Sequence, residues 1–168
     1  MDLDTIEKAY RKYAKEAYLY SLALCNNHEI AEDIVSEAFV KALLSLSVRE
    51  DNFKLWLLKV CKTTWIDMCR RRKYISDKPY DELDDLLYDD DTPLDLVIIQ
   101  EGKEAVMSAL LTLPVPCREA LTLFYFNDFS QAEISEILGK THGAVRTLLY
   151  RGRKLLSERL KEANYESF

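Results

Sequence analysis

Basic and hydroxyl side chains near the C-terminus recur at helical spacing, and their chemistry suits contact with nucleic acid. They are Arg146, Thr147, Tyr150, Arg151, Arg153 and Lys154. Arginine pairs bidentately with guanine, and arginine, lysine, threonine and tyrosine all donate to phosphate oxygens. Thr141 and His142 stand at the start of the same predicted helix. A basic helix alone is more often a solvated face than a DNA reader, so the elements that position it must be considered.

A capped helix and a tight turn precede this basic helix. Ser130 and Glu133 have the spacing of a capping box, which predicts a helix from about Ser130 to Leu138. Gly139 takes a positive φ without strain, and the hydroxyl of Thr141 caps the next helix. Because so short a turn forces the two helices to cross steeply, the pattern predicts a helix-turn-helix that binds DNA.

A second basic segment runs from Phe53 to Tyr74. Its candidates for contact with phosphates are Lys59, Lys62, Arg70, Arg71, Arg72 and Lys73. Trp65 lies among them and is a candidate for stacking on unpaired bases, with core packing as the alternative. We expect Trp56 to pack in the core.

Composition favours a soluble globular protein: 168 residues, 48% hydrophobic and 31% charged, with a net charge of −6 that is strongly segregated along the chain. No apolar run approaches a membrane span, and the N-terminus lacks a signal-peptide pattern, so we expect a cytoplasmic protein without membrane insertion. The cysteines Cys25, Cys61, Cys69 and Cys117 are scattered, so we expect buried thiols and no metal site. No phosphate loop or nucleophile-base pair indicates an enzyme, a cofactor or a small-molecule substrate.

Apolar residues recur at three- and four-residue steps throughout, which predicts an all-α fold. Helices are expected over about 3–25, 29–46 and 53–73, then over 94–111 and 117–126 before the helix-turn-helix. Acidic residues crowd the segment between these two groups. The sequence therefore predicts two small helical domains, residues 1–75 and 94–168, joined by a flexible acidic linker over 76–93.

Three segments in this order resemble the extracytoplasmic-function (ECF) sigma factors of the sigma-70 family. They are AEDIVSEAFVKAL (31–43), FKLWLLKVCKTTWIDMCRRRK (53–73) and residues 113–156. The resemblance implies a three-helix region 2 domain and a helix-turn-helix region 4 domain. It also implies three kinds of partner: core RNA polymerase, through its β′ coiled coil and β flap; promoter DNA, at the minus-ten and minus-thirty-five elements; and an anti-sigma factor.

By the same resemblance, roles are expected for individual residues. Polymerase binding is expected at Asp33, Ser36 and Glu37. Minus-ten recognition and melting are expected at Lys59, Lys62, Thr63, Trp65, Arg70, Arg71, Arg72 and Lys73, with a flipped base held by the loop Val48, Arg49, Glu50, Asp51 and Asn52. Minus-thirty-five recognition is expected at Thr141, His142, Arg146, Thr147, Tyr150, Arg151, Arg153 and Lys154. Two residues depart from the family pattern, since Thr63 stands where Asn is common and Leu148 where many members have Arg.

The main alternative is a helix-turn-helix regulator that acts without joining polymerase. It accounts for the C-terminal pattern equally well, but it gives no purpose to the acidic stripe of Asp33, Ser36 and Glu37 or to the basic segment around Trp65. An enzyme acting on nucleic acid is the weakest reading of the sequence.

Overall fold

The structure, a computed structural model, describes the backbone of residues 2–45, 50–76 and 103–162 and the side chains of 2–45, 51–72 and 105–162. The chain divides into two compact units, Met1–Thr92 and Pro93–Phe168. All regular secondary structure in the described residues is helical, which confirms the predicted all-α class. Residues 77–93 of the predicted linker and the start of the helix predicted over 94–111 lie outside the described residues.

Three α-helices form the first unit: α1 (Leu3–Cys25), α2 (His28–Leu44) and α3 (Phe53–Ser76), the last preceded by a 3-10 turn at Glu50–Asn52. Each of the three packs against the other two. The helix predicted over 29–46 thus begins one residue earlier and ends at Leu44, and α3 continues to Ser76. Helix ends are the part of a sequence prediction that side-chain periodicity determines least.

Two adjacent asparagines make the turn between α1 and α2. Asn26 adopts the left-handed conformation, with φ of 50°, and its backbone N–H donates to the carbonyl of Leu22. The side-chain oxygen of Asn27 then accepts from the N–H of Ile30 at 3.0 Å and caps α2. Asparagine suits both positions because its short amide tolerates positive φ and also replaces a missing helical acceptor. The turn therefore brings α2 back along α1.

Four helices form the second unit: α4 (Lys103–Leu110), α5 (Val115–Tyr125), α6 (Gln131–Leu138) and α7 (His142–Glu162). The first three all pack against α7, which makes α7 the centre of the unit. Its buried side is lined by Val145, Leu149, Gly152, Leu156 and Leu160. The inward positions recur every three or four residues, so they form one apolar stripe along the helix.

Gly152 lets α7 approach α5 closely. A Cβ added at Gly152 would lie 2.9 Å from Cδ1 and 3.0 Å from Cγ of Leu121, a side chain with no exposed surface. Cβ of Cys117 would be 3.5 Å away. Since a buried leucine cannot move without displacing its neighbours, the absence of a side chain at Gly152 sets the spacing between the two helices.

Replacement of Gly152 by alanine tests this spacing. Alanine favours a helix by up to about 1 kcal/mol, but overpacking a core costs about 1–3 kcal/mol, so we expect Gly152→Ala to lower the free energy of unfolding by about 1 kcal/mol. The matched control is Gly143→Ala in the same helix, where the added Cβ meets only Thr141 Oγ1 at 4.0 Å. Urea denaturation followed by circular dichroism should show stabilisation by the control. Stabilisation by Gly152→Ala as well would contradict the packing argument.

All four cysteines are free and buried, as the sequence predicted. Burial raises the pKa of the Cys61 thiol to about 12 and raises the pKa of Cys117 from its ordinary value. The Tyr18 phenol has its pKa raised to about 12 by burial and, secondarily, by the negative charge of Glu32. In the described residues no group of histidine, cysteine, aspartate and glutamate side chains is arranged to hold a metal ion.

These raised pKa values predict a loss of stability in alkali. The unfolded chain releases protons near the ordinary pKa of 9.0 for cysteine and 10.0 for tyrosine, whereas folded Cys61 and Tyr18 keep theirs up to about 12. The contribution of these groups is therefore complete below pH 9 and declines between pH 9 and 12. We expect the urea midpoint to fall over this range and a thiol reagent at pH 8 to react only with unfolded protein. Rapid reaction of the folded chain would contradict the burial of the thiols.

Candidate nucleic-acid interface

Local hydrogen bonds build the turn between α6 and α7. Ser130 Oγ accepts from the N–H of Glu133 at 3.2 Å, and Glu133 Oε1 accepts from the N–H of Ser130 at 3.1 Å, so the capping box is complete. Gly139 has φ of 64° and ends α6. Thr141 Oγ1 then accepts from the N–H of Ala144 at 3.1 Å and caps α7. The predicted helix-turn-helix is therefore confirmed down to its capping atoms.

The side of α7 opposite its apolar stripe is basic and exposed. All the C-terminal site candidates lie there or at the start of the helix: Thr141, His142, Arg146, Thr147, Tyr150, Arg151, Arg153 and Lys154. Tyr150 is 70% exposed, and the hydroxyl of Thr147 donates to the carbonyl of Gly143 at 3.0 Å. Leu148 is half-buried at the edge of this surface. Burial of the stripe thus leaves the basic side chains of α7 and the hydroxyl of Tyr150 facing solvent.

Two aromatic residues that the sequence analysis did not single out join this surface. Arg153 Nε donates to the hydroxyl of Tyr125 at 2.7 Å, and the guanidinium lies 5.2 Å from the ring centroid of Phe124 and 5.7 Å from that of Tyr125. The two aromatic residues end α5, whereas Arg153 lies in the middle of α7. No sequence pattern links residues 28 positions apart, so only the packing of α5 on α7 reveals the contact.

The exposed side of α3 carries the second basic surface. Lys59 and Lys62 are half-buried, and Thr63 is exposed with its hydroxyl donating to the carbonyl of Val60 at 3.0 Å. The exposed arginines are Arg70, Arg71 and Arg72. Arg70 lies 4.0 Å from the Asp67 carboxylate, and Arg71 Nε donates to the carbonyl of Asp67 at 3.5 Å. The side chain of Lys73 lies outside the described residues.

Trp65 does not belong to this surface, so its candidate role in base stacking is wrong for this conformation. The indole is 1% exposed, and its Nε1 is buried without a hydrogen-bond partner among the described residues. The buried positions of α3 include Leu57, Leu58, Cys61, Thr64, Trp65 and Cys69. This stripe faces α1 and α2 and places Trp65 in the core. Trp56, which we expected in the core, is partly exposed, and the centroid of its ring lies 5.9 Å from that of Phe53.

The loop predicted to hold a flipped base is only partly described. Val48 and Arg49 lie outside the described residues, as does the side chain of Glu50. Asp51 and Asn52 are exposed in the 3-10 turn immediately before α3. The turn therefore leads directly into the helix that carries Lys59 and Lys62.

The acidic stripe on α2 is tied to α3 by a lysine. Asp33 and Ser36 are exposed, and the Glu37 carboxylate lies 3.3 Å from Lys41 Nζ. Lys41 Nζ also donates at 2.9 Å to Oγ1 of Thr64, a side chain with no exposed surface. The amino group therefore connects a surface carboxylate with a polar atom inside the three-helix core.

A cavity of about 320 Å³ lies between α2 and α3. Its lining residues are Ile30, Asp33, Glu37, Trp65, Met68, Arg71 and Arg72. The structure thus brings two acids of the predicted polymerase-binding stripe beside two arginines of the predicted DNA-binding surface. In the described residues the two surfaces share one edge.

Family models and curated relatives agree on this architecture. The model for Sigma-70 region 2 matches residues 9–74, and the model for Sigma-70, region 4 matches residues 103–156. The ECF RNA polymerase sigma factor SigM of Bacillus subtilis is 30% identical over 158 residues, covering 90% of this chain and 93% of the relative. SigW of the same organism is 29% identical over 171 residues, covering 96% and 91%.

A solved structure has the same fold. The sigma factor RpoE of Bartonella quintana, crystallised in complex with the anti-sigma factor NepR, matches 95% of this chain and 98% of its own with a TM-score of 0.67 and 20% identity. The matched regions and the helix-turn-helix define a helical transcription-initiation protein. The chain belongs to the ECF sigma factors of the sigma-70 family. It is thus a sigma factor, a subunit that binds core RNA polymerase and directs transcription initiation at promoters.

Two adjacent threonines test the connection between α2 and α3. Thr64→Val keeps the shape of the side chain but removes the acceptor of Lys41 Nζ, so we expect the first unit to lose about 1–2 kcal/mol of stability. Thr63→Val, at an exposed position, should change stability by less than about 0.5 kcal/mol. Both tryptophans lie on α3, so urea denaturation followed by tryptophan fluorescence reports on this unit. Equal effects of the two substitutions would contradict a role for the Lys41–Thr64 bond.

Proposed function

We propose that the first unit docks on core RNA polymerase and opens the minus-ten element of the promoter. The second unit binds the minus-thirty-five element. The observation that carries this proposal is the basic, exposed side of α7, which the helix-turn-helix presents opposite a fully buried stripe. In helix-turn-helix proteins the second helix enters the major groove, and its N-terminal residues contact base edges. In α7, His142 and Arg146 place hydrogen-bond donors in this N-terminal part of the helix.

In the first unit, Asp33, Ser36 and Glu37 bind core RNA polymerase at the β′ coiled coil. The support is their position on one side of α2, where Asp33 and Ser36 are exposed and Glu37 is half-buried, and the negative charge of Asp33 and Glu37, which fits basic and amide groups of a partner helix. The second unit contacts the β flap. An anti-sigma factor competes for these surfaces, a proposal supported by the anti-sigma partner of the structurally similar RpoE.

The minus-ten element is opened along α3. The proposed contacts are Lys59, Lys62, Thr63, Arg70, Arg71, Arg72 and Lys73, with the loop of residues 48–52 holding a flipped base. Cations near the phosphates stabilise a displaced strand, and no nucleotide turnover is needed because the binding free energy supports opening. We exclude Trp65 from this set because it is buried.

The minus-thirty-five element is read by α7. Thr141 and His142 stand at the start of the helix. Arg146, Thr147 and Tyr150 follow in its first half and contact base edges, whereas Arg151, Arg153 and Lys154 contact phosphates. Leu148 offers no hydrogen bond to a base, so the helix positions the subunit as much as it specifies sequence. The protein acts without a cofactor, a metal ion or catalysis of its own.

Transcription in vitro tests this function. Purified protein mixed with core RNA polymerase should give promoter-dependent transcripts from a promoter library, and core polymerase alone should not. A regulator that acts without polymerase would instead bind operator DNA tightly by itself, although the family relationship disfavours that alternative. Failure to bind core polymerase, together with the absence of any promoter-dependent product, would contradict the proposal.

Charge removal from α2 tests the docking stripe. Asp33→Asn combined with Glu37→Gln keeps side-chain shape while removing two negative charges, and we expect the affinity for core polymerase to fall by about 10- to 100-fold. The matched control is Asp4→Asn combined with Glu7→Gln, which removes two exposed negative charges from α1, outside the proposed stripe. Competition against a labelled wild-type chain measures both affinities. An unchanged affinity of the double variant would remove the stripe from the interface.

A further inference from the structure

Arg153 lies on α7, and its guanidinium is oriented by another helix. Its Nε donates to the Tyr125 hydroxyl at 2.7 Å, and Phe124 and Tyr125 place their rings 5.2 and 5.7 Å from the guanidinium carbon. The two rings lie edge to face, with centroids 5.0 Å apart. Both Arg153 and Tyr125 remain exposed. The contact therefore orders the side chain without removing it from solvent.

The remaining donors of Arg153 are available to an anion. A guanidinium has five N–H groups in a rigid plane, and the bond to Tyr125 uses the one on Nε. Within the described part of the chain, Arg153 forms no ion pair with a carboxylate. Its two Nη groups thus keep the planar geometry that binds phosphate oxygens bidentately.

The position of Arg153 along α7 favours phosphate over a base edge. It lies eleven residues after His142, the first residue of the helix, which at 1.5 Å per residue is about 16 Å along the axis. In helix-turn-helix complexes the N-terminal residues of the second helix reach the bases. A guanidinium so far along the helix, fixed by a neighbouring element, suits the DNA backbone beside the groove.

We propose that Tyr125 is a positioning residue for DNA binding, which together with Phe124 holds Arg153 ready for a phosphate of the upstream promoter element. This inference rests on the proposed function of α7. Ordering a flexible arginine before binding reduces the conformational entropy lost on binding. The hydroxyl of Tyr125 therefore increases affinity without contributing to sequence readout.

A double-mutant cycle in the holoenzyme tests this role. The full chain is assembled with core RNA polymerase, and its affinity for a fluorescein-labelled promoter duplex from the transcription experiment is measured across a salt series. We expect Tyr125→Phe, which keeps the ring and removes the hydroxyl, to weaken binding about 3- to 10-fold with an unchanged salt dependence. Arg153→Ala should weaken binding about 10-fold and reduce the slope of log K against log salt by about 0.9.

The double variant separates positioning from a general structural effect. If Tyr125 acts through Arg153, adding Tyr125→Phe to Arg153→Ala should change affinity less than about 2-fold. Tyr10→Phe removes an exposed tyrosine hydroxyl from the first unit and should leave DNA affinity unchanged. Thermal unfolding of each variant verifies that the second unit remains folded.

Two results would overturn the inference. One is an additive loss in the double variant, which would mean that Tyr125 acts independently of Arg153. The other is an unchanged salt slope in Arg153→Ala, which would mean that the guanidinium does not neutralise a phosphate. Neither result would affect the proposed sigma function, which fails only if the wild-type holoenzyme gives no promoter-dependent transcript.

Discussion

One constraint shapes both units: α3 and α7 each contribute one side to a core and the other side to a surface that we propose binds DNA. Burial of the apolar stripe determines how such a helix is rotated, and the rotation determines which polar side chains face outward. In α7 the close contact of Gly152 with Leu121 sets the distance to α5. The same contact that stabilises the unit thereby orients its donors.

Polar groups at the edges of the cores connect stability with binding. Lys41 ties the Glu37 carboxylate on α2 to the buried hydroxyl of Thr64 on α3, and Tyr125 on α5 fixes Arg153 on α7. The link from Glu37 to the second helix passes through Lys41, whereas Arg153 is hydrogen-bonded to the second helix directly. Ordering a charged group in this way reduces the entropy lost on binding and favours one geometry of the partner.

The distribution of charge explains how an acidic protein can bind DNA. The chain has a net charge of −6, yet the exposed sides of α3 and α7 are basic. Fields near a surface depend on local charges, since salt screens distant ones over about 10 Å. Acids on α2 and arginines on α3 nevertheless line one cavity. The surfaces that we propose for polymerase and for promoter DNA in the first unit therefore lie side by side, which places DNA opening next to the docking site in the proposed complex.

The sequence by itself determined the features that depend on near neighbours in the chain. The capping box of Ser130 and Glu133, the positive φ of Gly139 and the cap at Thr141 follow from residue type and spacing, because their hydrogen bonds span only a few residues. Helical periodicity likewise predicted the all-α fold and the exposed basic side of α7. Tertiary structure alone decided that Trp65 is buried and that Tyr125 holds Arg153. Both depend on how helices distant in sequence pack together. The periodicity of a single helix does not show which aromatic residue at the edge of its apolar stripe is covered by the neighbouring helices.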